Sequence, residues 1–269
     1  MSKKILVFLA ATMLMALMPL RASQAKTLTI AVIDTGIDKA LPNLCKFGHK
    51  SFVNKPDLLI DEANPLTDNH GHGTHIAGLI SKHAGEGSYC LVAIKYYSEA
   101  NSGKQNLENM KQALRYAINI KVDFINISAG GPERDEDEYA LIKEALDKGI
   151  KVDVAAGNEK SDLDKSCNYF PACYDKRLVV VGNLEITKDF RHLDPEMKLL
   201  GMLAGIGDKI GTYETQRSPT SNYGNYVNRW EIGTNVESTM PGGKTGYMSG
   251  TSQATAVATG EMVRVQLHK

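Results

Sequence analysis

Net charge is what this chain lacks: 31 Lys and Arg meet 31 Asp and Glu, so the formal charge at pH 7 is zero. Without a basic excess there is no electrostatic footprint for nucleic acid, and no nucleic-acid partner is expected. Cysteine is scarce, four in 269 residues with no CxxC pair, which argues against a structural zinc site. Beyond residue 25 no apolar run is long enough to cross a bilayer, so no membrane partner is expected of that part. Internal repeats and linker-like stretches are missing as well, which leaves one domain. The length suffices for an α/β domain with a sizeable buried core.

The first 25 residues stand apart. Lys3-Lys4 precede an apolar run from Ile5 to Leu20, and Arg21-Ala22-Ser23-Gln24-Ala25 follow. A charged start, a hydrophobic centre and small residues at Ser23 and Ala25 read as a signal peptide cleaved after Ala25. An uncleaved anchor is the alternative, but the run is short for a bilayer span and is broken by Pro19. This stretch contains no acid, so losing Lys3, Lys4 and Arg21 leaves 28 basic groups against 31 acidic, a formal charge of −3. Cys45, Cys90, Cys167 and Cys173 all follow the cleavage point. An even count in an exported chain favours disulfides, with three pairings open. Cys167 and Cys173 are close enough to staple one loop, which leaves Cys45 with Cys90.

Apolar runs then alternate with amphipathic stretches. Thr27 to Ile33, Leu91 to Tyr96, Val122 to Ile127, Val152 to Ala156 and Leu178 to Val181 read as strands covered on both faces. Asn106 to Ile120 and Glu136 to Lys148 read as helices, the second stopped by Gly149. This order implies βαβ crossovers, and so a three-layer α/β sandwich with a mainly parallel central sheet and helices on both faces. Ligands in such sheets bind at the carboxyl ends of the strands. From Glu185 to Tyr226 the pattern is irregular and reads as surface loops with one short hairpin.

Four short stretches carry the chemistry: Asp34-Thr35-Gly36, His72-Gly73-Thr74-His75, Gly157-Asn158 and Gly250-Thr251-Ser252. They supply an acid, an imidazole, a side-chain amide and a hydroxyl. These are the groups that orient a base, take a proton from a serine and stabilise an oxyanion. Asp34 and Asn158 fall just past strand ends. His72 stands at the start of a helix beginning at about Gly73. Ser252 opens a small-residue stretch to Gly260, where a helix N-terminus would favour negative charge. A rival reading takes His70, His72 and His75 as an H-x-H-x-x-H metal site. It leaves the Gly-Asn and Gly-Thr-Ser stretches without a role.

From about Thr27 to Gly260 the chain resembles the subtilisin-like serine proteases, in the order Asp, His, Ser as well as in the four stretches. Val122 to Pro132 resembles that family's substrate-binding strand, and Asn222-Tyr223-Gly224 and Met240-Pro241-Gly242 resemble segments leading to the nucleophile. The resemblance implies a secreted serine endopeptidase, a monomer acting on protein or peptide substrates through an acyl-enzyme. It implies Asp34, His72 and Ser252 as catalytic triad and Asn158 as oxyanion donor. Ser128, Ala129 and Gly130 would pair with an extended peptide, Glu159 would stand at the first pocket's rim, and Tyr169 at its floor. A catalytically impaired peptide-binding protein on the same fold is the competing reading.

Departures from the family pattern carry expectations of their own. Gln253 replaces the usual Met after the nucleophile, which predicts tolerance of peroxide. Ala256 replaces a Pro that fixes the first turn of that helix. Tyr169 replaces a Gly, so a phenol should fill the pocket and favour small side chains before the scissile bond. No cofactor is required, and calcium is left open: Asn43 stands where a calcium-binding Asp often occurs, while Gly85 to Cys90 is short for the family's strongest calcium loop. The usual prodomain and C-terminal elements are missing from the resemblance, so Val263, Val265 and Leu267 would lack their usual cover.

Overall fold

The computed structural model describes residues 26–53, 63–189 and 213–269. The expected signal peptide lies outside the described residues. Alternation along the first strand sets the layers. In β1 (Leu28–Asp34), Ile30 and Val32 face one way and Ala31 and Ile33 the other, and all four are buried. Ala31 and Ile33 join a core with β3 (Tyr89–Lys95), β4 (Phe124–Ile127) and β5 (Lys151–Ala155), under helices α2 (Gly103–Asn119) and α3 (Glu136–Asp147). Ile30 and Val32 pack instead beneath α1 (His72–Ala84) and α4 (Thr251–Leu267). A strand apolar on both faces needs cover on both faces, and these helices provide it.

Among the described residues the main sheet runs β2 (Lys50–Ser51), β3, β1, β4, β5, β6 (Val179–Asp189), β7 (Tyr213–Arg217), with β8 (Arg229–Ile232) also paired to β6. Every pairing is parallel except β6 with β7. That antiparallel pair falls largely in the stretch expected to be loops with one short hairpin; the residues joining its strands lie outside the described residues, and the pairing lengthens β6 well past Val181. A separate antiparallel pair, β9 (Val236–Met240) and β10 (Lys244–Met248), packs on α1, where Ser238 Oγ donates to the His75 carbonyl at 2.7 Å.

The helix ends follow from local chemistry. Ser102 and Gln105 form a reciprocal capping box that starts α2 three residues ahead of its apolar stripe, and Asp135 caps α3. Two disulfides close, Cys45–Cys90 and Cys167–Cys173. One expectation is corrected at the C-terminal helix. Val263 is fully buried and Leu267 packs against the same core, so only Val265 of the three stays exposed.

Candidate active site

Asp34 is the last residue of β1, so the sheet delivers it at its carboxyl edge with the side chain only 4% exposed. Its Oδ1 accepts from the Thr35 amide and faces His72 Nδ1, each at 2.8 Å. A carboxylate can only accept, so Nδ1 carries the proton and Nε2 of the neutral ring is free to receive one. Burial pushes the His72 imidazole down. The charge and hydrogen bond of Asp34, with a smaller contribution from Asp68, outweigh it and raise the pKa above 6.5.

His72 opens α1, whose N-cap is Gly71, a residue with no side chain to offer. Asp68 takes over that role. Its Oδ1 accepts from the Gly71 amide and the Thr35 hydroxyl, both at 2.8 Å, and its Oδ2 from the amide and hydroxyl of Thr74. Thr35 Oγ1 in turn accepts from the Gly73 amide at 2.9 Å, tying the strand end to the helix start. Gly73 is required there. A Cβ would stand 2.1 Å from the Gly36 carbonyl oxygen, and α1 could not approach Asp34.

Ser252 is the second residue of α4. Its hydroxyl donates to the Ser128 carbonyl at 2.8 Å rather than to the imidazole, while Ser128 Oγ donates back toward the Ser252 carbonyl at 2.9 Å. Ser128 also lines a cavity of about 180 Å³ with Asp34, His72, Tyr96, Tyr97 and Ala129. His72 lines that cavity directly, whereas Ser252 is connected to it only through its hydrogen bonds with Ser128. Ala129 and Gly130 make no backbone hydrogen bond among the described residues, so that edge can accept an extended chain.

Asn158 is exposed and follows β5. Its Oδ1 accepts from the Thr251 amide at 3.0 Å, which leaves Nδ2 facing the helix start as a donor. Tyr169 fills the space between two backbones. Cβ atoms added at Gly130 and Gly157 would fall 2.5 Å and 2.9 Å from its ring. Burial, then the nearby Glu159, raises its phenol pKa. Glu159 is exposed, and its carboxylate accepts from Asn222 Nδ2 at 2.7 Å.

The three histidines do not form one cluster. His75 Nε2 is engaged by the carbonyls of Val236 and Gly246, while His70 meets Glu99 at 3.5 Å and the His72 ring edge-on. Asn43 spends its amide on the Tyr89 hydroxyl, and no group of three or more His, Cys, Asp or Glu among the described residues is placed to hold a metal ion.

Two residues were missed as contributors. Asp68 could have been found as an acid just ahead of a helix start that has no capping side chain. Asn222, fully buried, bonds Ala156, Glu159 and Ser161 and fixes the loop that carries Asn158. Only the fold brings it there.

The chain is a mainly parallel α/β sandwich with an Asp–His pair at its carboxyl edge and Ser252 in the first turn of α4. Residues 25–267 match the profile of the Subtilase family, Peptidase_S8, and the chain belongs to that family. It is 30% identical over 256 residues to "Intracellular serine protease" of Paenibacillus polymyxa, covering 91% of this chain and 68% of that protein. It is also 30% identical to "Subtilisin E" of Bacillus subtilis (strain 168) over 86% of this chain and 53% of the other. The chain thus spans about half the length of several subtilisin relatives. A crystal structure of a cold-adapted subtilisin-like serine proteinase shares the fold at a TM-score of 0.65 and 24% identity, covering 90% of this chain and 76% of that one.

Proposed function

We propose that this protein hydrolyses peptide bonds with Asp34, His72 and Ser252 as its triad. The observation that carries the reading is the 2.8 Å contact between Asp34 Oδ1 and His72 Nδ1, beside a cavity also lined by Ser128, whose carbonyl accepts from the Ser252 hydroxyl. A peptide laid along Ser128 to Gly130 brings an N–H to the Ser128 carbonyl and displaces the serine hydroxyl, which turns to His72 Nε2. His72 takes the proton as Ser252 Oγ adds to the scissile carbonyl. It then passes that proton to the leaving amine, giving an acyl-enzyme that water hydrolyses by the same route. Asn158 Nδ2 and the backbone N–H groups at the start of α4 receive the oxyanion.

Tyr169 between Gly130 and Gly157 supports a first pocket that takes small side chains, with Glu159 at its rim. The amino-terminal pattern and two disulfides support an exported enzyme. The serine's present bond to Ser128 favours the alternative, a peptide binder that does not turn over. Labelling by a fluorophosphonate separates the two. Labelling of the wild type and not of Ser252→Ala supports the triad, and absence of labelling in a folded wild type overturns it.

A further inference from the structure

Beneath the groove the α4-facing side of the sheet carries a polar group that the proposed chemistry does not use. Asp153 in β5 is fully buried and lies in register with Asn126 of β4. Thr259 of α4 bridges the two strands: its hydroxyl meets Asp153 Oδ2 at 2.8 Å and accepts from Asn126 Nδ2 at 2.9 Å. With its Nδ2 so committed, Asn126 presents Oδ1 to the Ser128 hydroxyl at 3.0 Å, the same hydroxyl that reaches the Ser252 carbonyl at 2.9 Å. Among the described residues Asp153 Oδ1 has no hydrogen-bond partner.

We propose that Asp153 is a positioning residue, whose proton state is relayed through Thr259, Asn126 and Ser128 to the setting of Ser252 against the Ser128–Gly130 strand. It rests on the reading of Ser252 as nucleophile. Counting protons gives the direction. When protonated on Oδ2, Asp153 donates to Thr259 Oγ1, whose own proton goes to the Thr255 carbonyl 3.0 Å away, and the bridge carries no buried charge. When ionised, Asp153 pulls the Thr259 proton to itself and leaves a buried charge with one unbonded oxygen, which strains the chain toward Asn126 and Ser128.

Burial raises the Asp153 carboxyl to about 7, against the lowering effects of Thr259, Arg229 and Lys151, so both states are accessible near neutrality. Arg229 of β8 and Lys151 of its own strand are the charges that act on it. Arg229 is held by Glu231 and Glu261, and Lys151 by Gln266. The neighbours on β4, β6 and α4, Asn126, Val179 and Thr259, carry no charge.

Asp153→Asn keeps the shape and donates permanently to Thr259, and Thr259→Val cuts the relay while leaving Asp153 in place. The pH profile of kcat on a peptide substrate from pH 5 to 10 should show a limb near pH 7 in the wild type. It should vanish in both variants while the His72 limb remains, with kcat of Asp153→Asn several-fold above wild type at pH 8. Amide NMR shifts of Ser128 and Ser252, followed in a His72→Ala background, should titrate near pH 7 only when Asp153 is present. This second readout needs no turnover, so it stands even if labelling shows the triad reading to be wrong. Superimposable pH profiles, or Ser128 and Ser252 shifts indifferent to Asp153→Asn, would overturn the proposal.

Discussion

On the His72 side of the groove two carboxylates set the geometry. Asp34 fixes the ring, and Asp68 fixes the turn that presents it. On the Ser252 side most contacts are neutral: serine to a backbone carbonyl, Tyr169 wedged between two glycines, and Asn222 bracing a loop through backbone groups, with the Glu159 carboxylate its one charged partner. The acid–base half is therefore preorganised by charge, in a setting where charged hydrogen bonds are the strong ones. The binding half is set by packing, and its serine has to leave one partner to meet another. A group held by neutral bonds can turn at modest cost, whereas a hydrogen bond to a buried carboxylate can only be broken at a large one.

The sharpest way to break this comparison is Asp34→Asn, which should lower kcat by roughly 10⁴-fold because the imidazole loses its correct tautomer. The pH profile gives a second check. His72 must be neutral to act as base, so the acid limb of kcat/KM in the wild type should have its midpoint above 6.5. Stability runs the other way. The raised pKa contributes stability that is present below about pH 6.5 and is lost as pH rises through the folded-state pKa. In Asp34→Asn burial remains and the raising charge is gone, so that midpoint should move down.

Asp68→Ala comes next. It strips acceptors from two amides and two hydroxyls in a buried turn, at a cost on the order of 3 kcal/mol. Differential scanning calorimetry should show Tm falling by roughly 6–12 °C, and an unchanged Tm would deny the turn its dependence on the carboxylate.

A smaller effect tests the packed half. Tyr169→Gly should empty the first pocket and raise kcat/KM for Phe or Leu before the scissile bond, relative to Ala, by about 10–100-fold in a peptide library. If the wild type already prefers Phe or Leu there, Tyr169 does not govern the pocket. The least effect is expected from peroxide. With Gln253 after the nucleophile, residual activity should fall less than about twofold. Peptide mapping should watch Met248, whose sulfur lies 3.7 Å from Gln253 Nε2. Rapid inactivation tracking sulfoxide at Met248 would show that the vulnerable thioether has moved rather than gone.

The parallel core was legible because its strands are doubly buried and read as unbroken apolar runs, as in Leu28–Asp34 and Tyr89–Lys95. The strands Arg229–Ile232, Val236–Met240 and Lys244–Met248 were not. They are short, partly exposed and polar, so nothing in their pattern distinguishes them from loops. At the site, the four stretches announced the groups but not their contacts. The Asp34–His72 pair follows from a strand end meeting a helix start. The turn of Ser252 toward Ser128 depends on a rotamer, which no spacing encodes. Asp153 reads as an anomaly in an apolar strand, and only the register with Asn126 and the overlay of Thr259 give it partners.

The two disulfides divide between the halves of the groove. Cys45–Cys90 encloses Asp68, His72 and all of α1, whereas Cys167–Cys173 encloses little more than Tyr169 and its turn. In polymer terms the first closes a loop of 45 residues and the second one of 6. Loop-closure entropy puts their contributions at about 4 and about 2 kcal/mol. A reducing compartment would therefore tax the imidazole's half more heavily than the serine's. The charged side, rigid once folded, is also the side whose assembly depends more on where in the cell the chain matures.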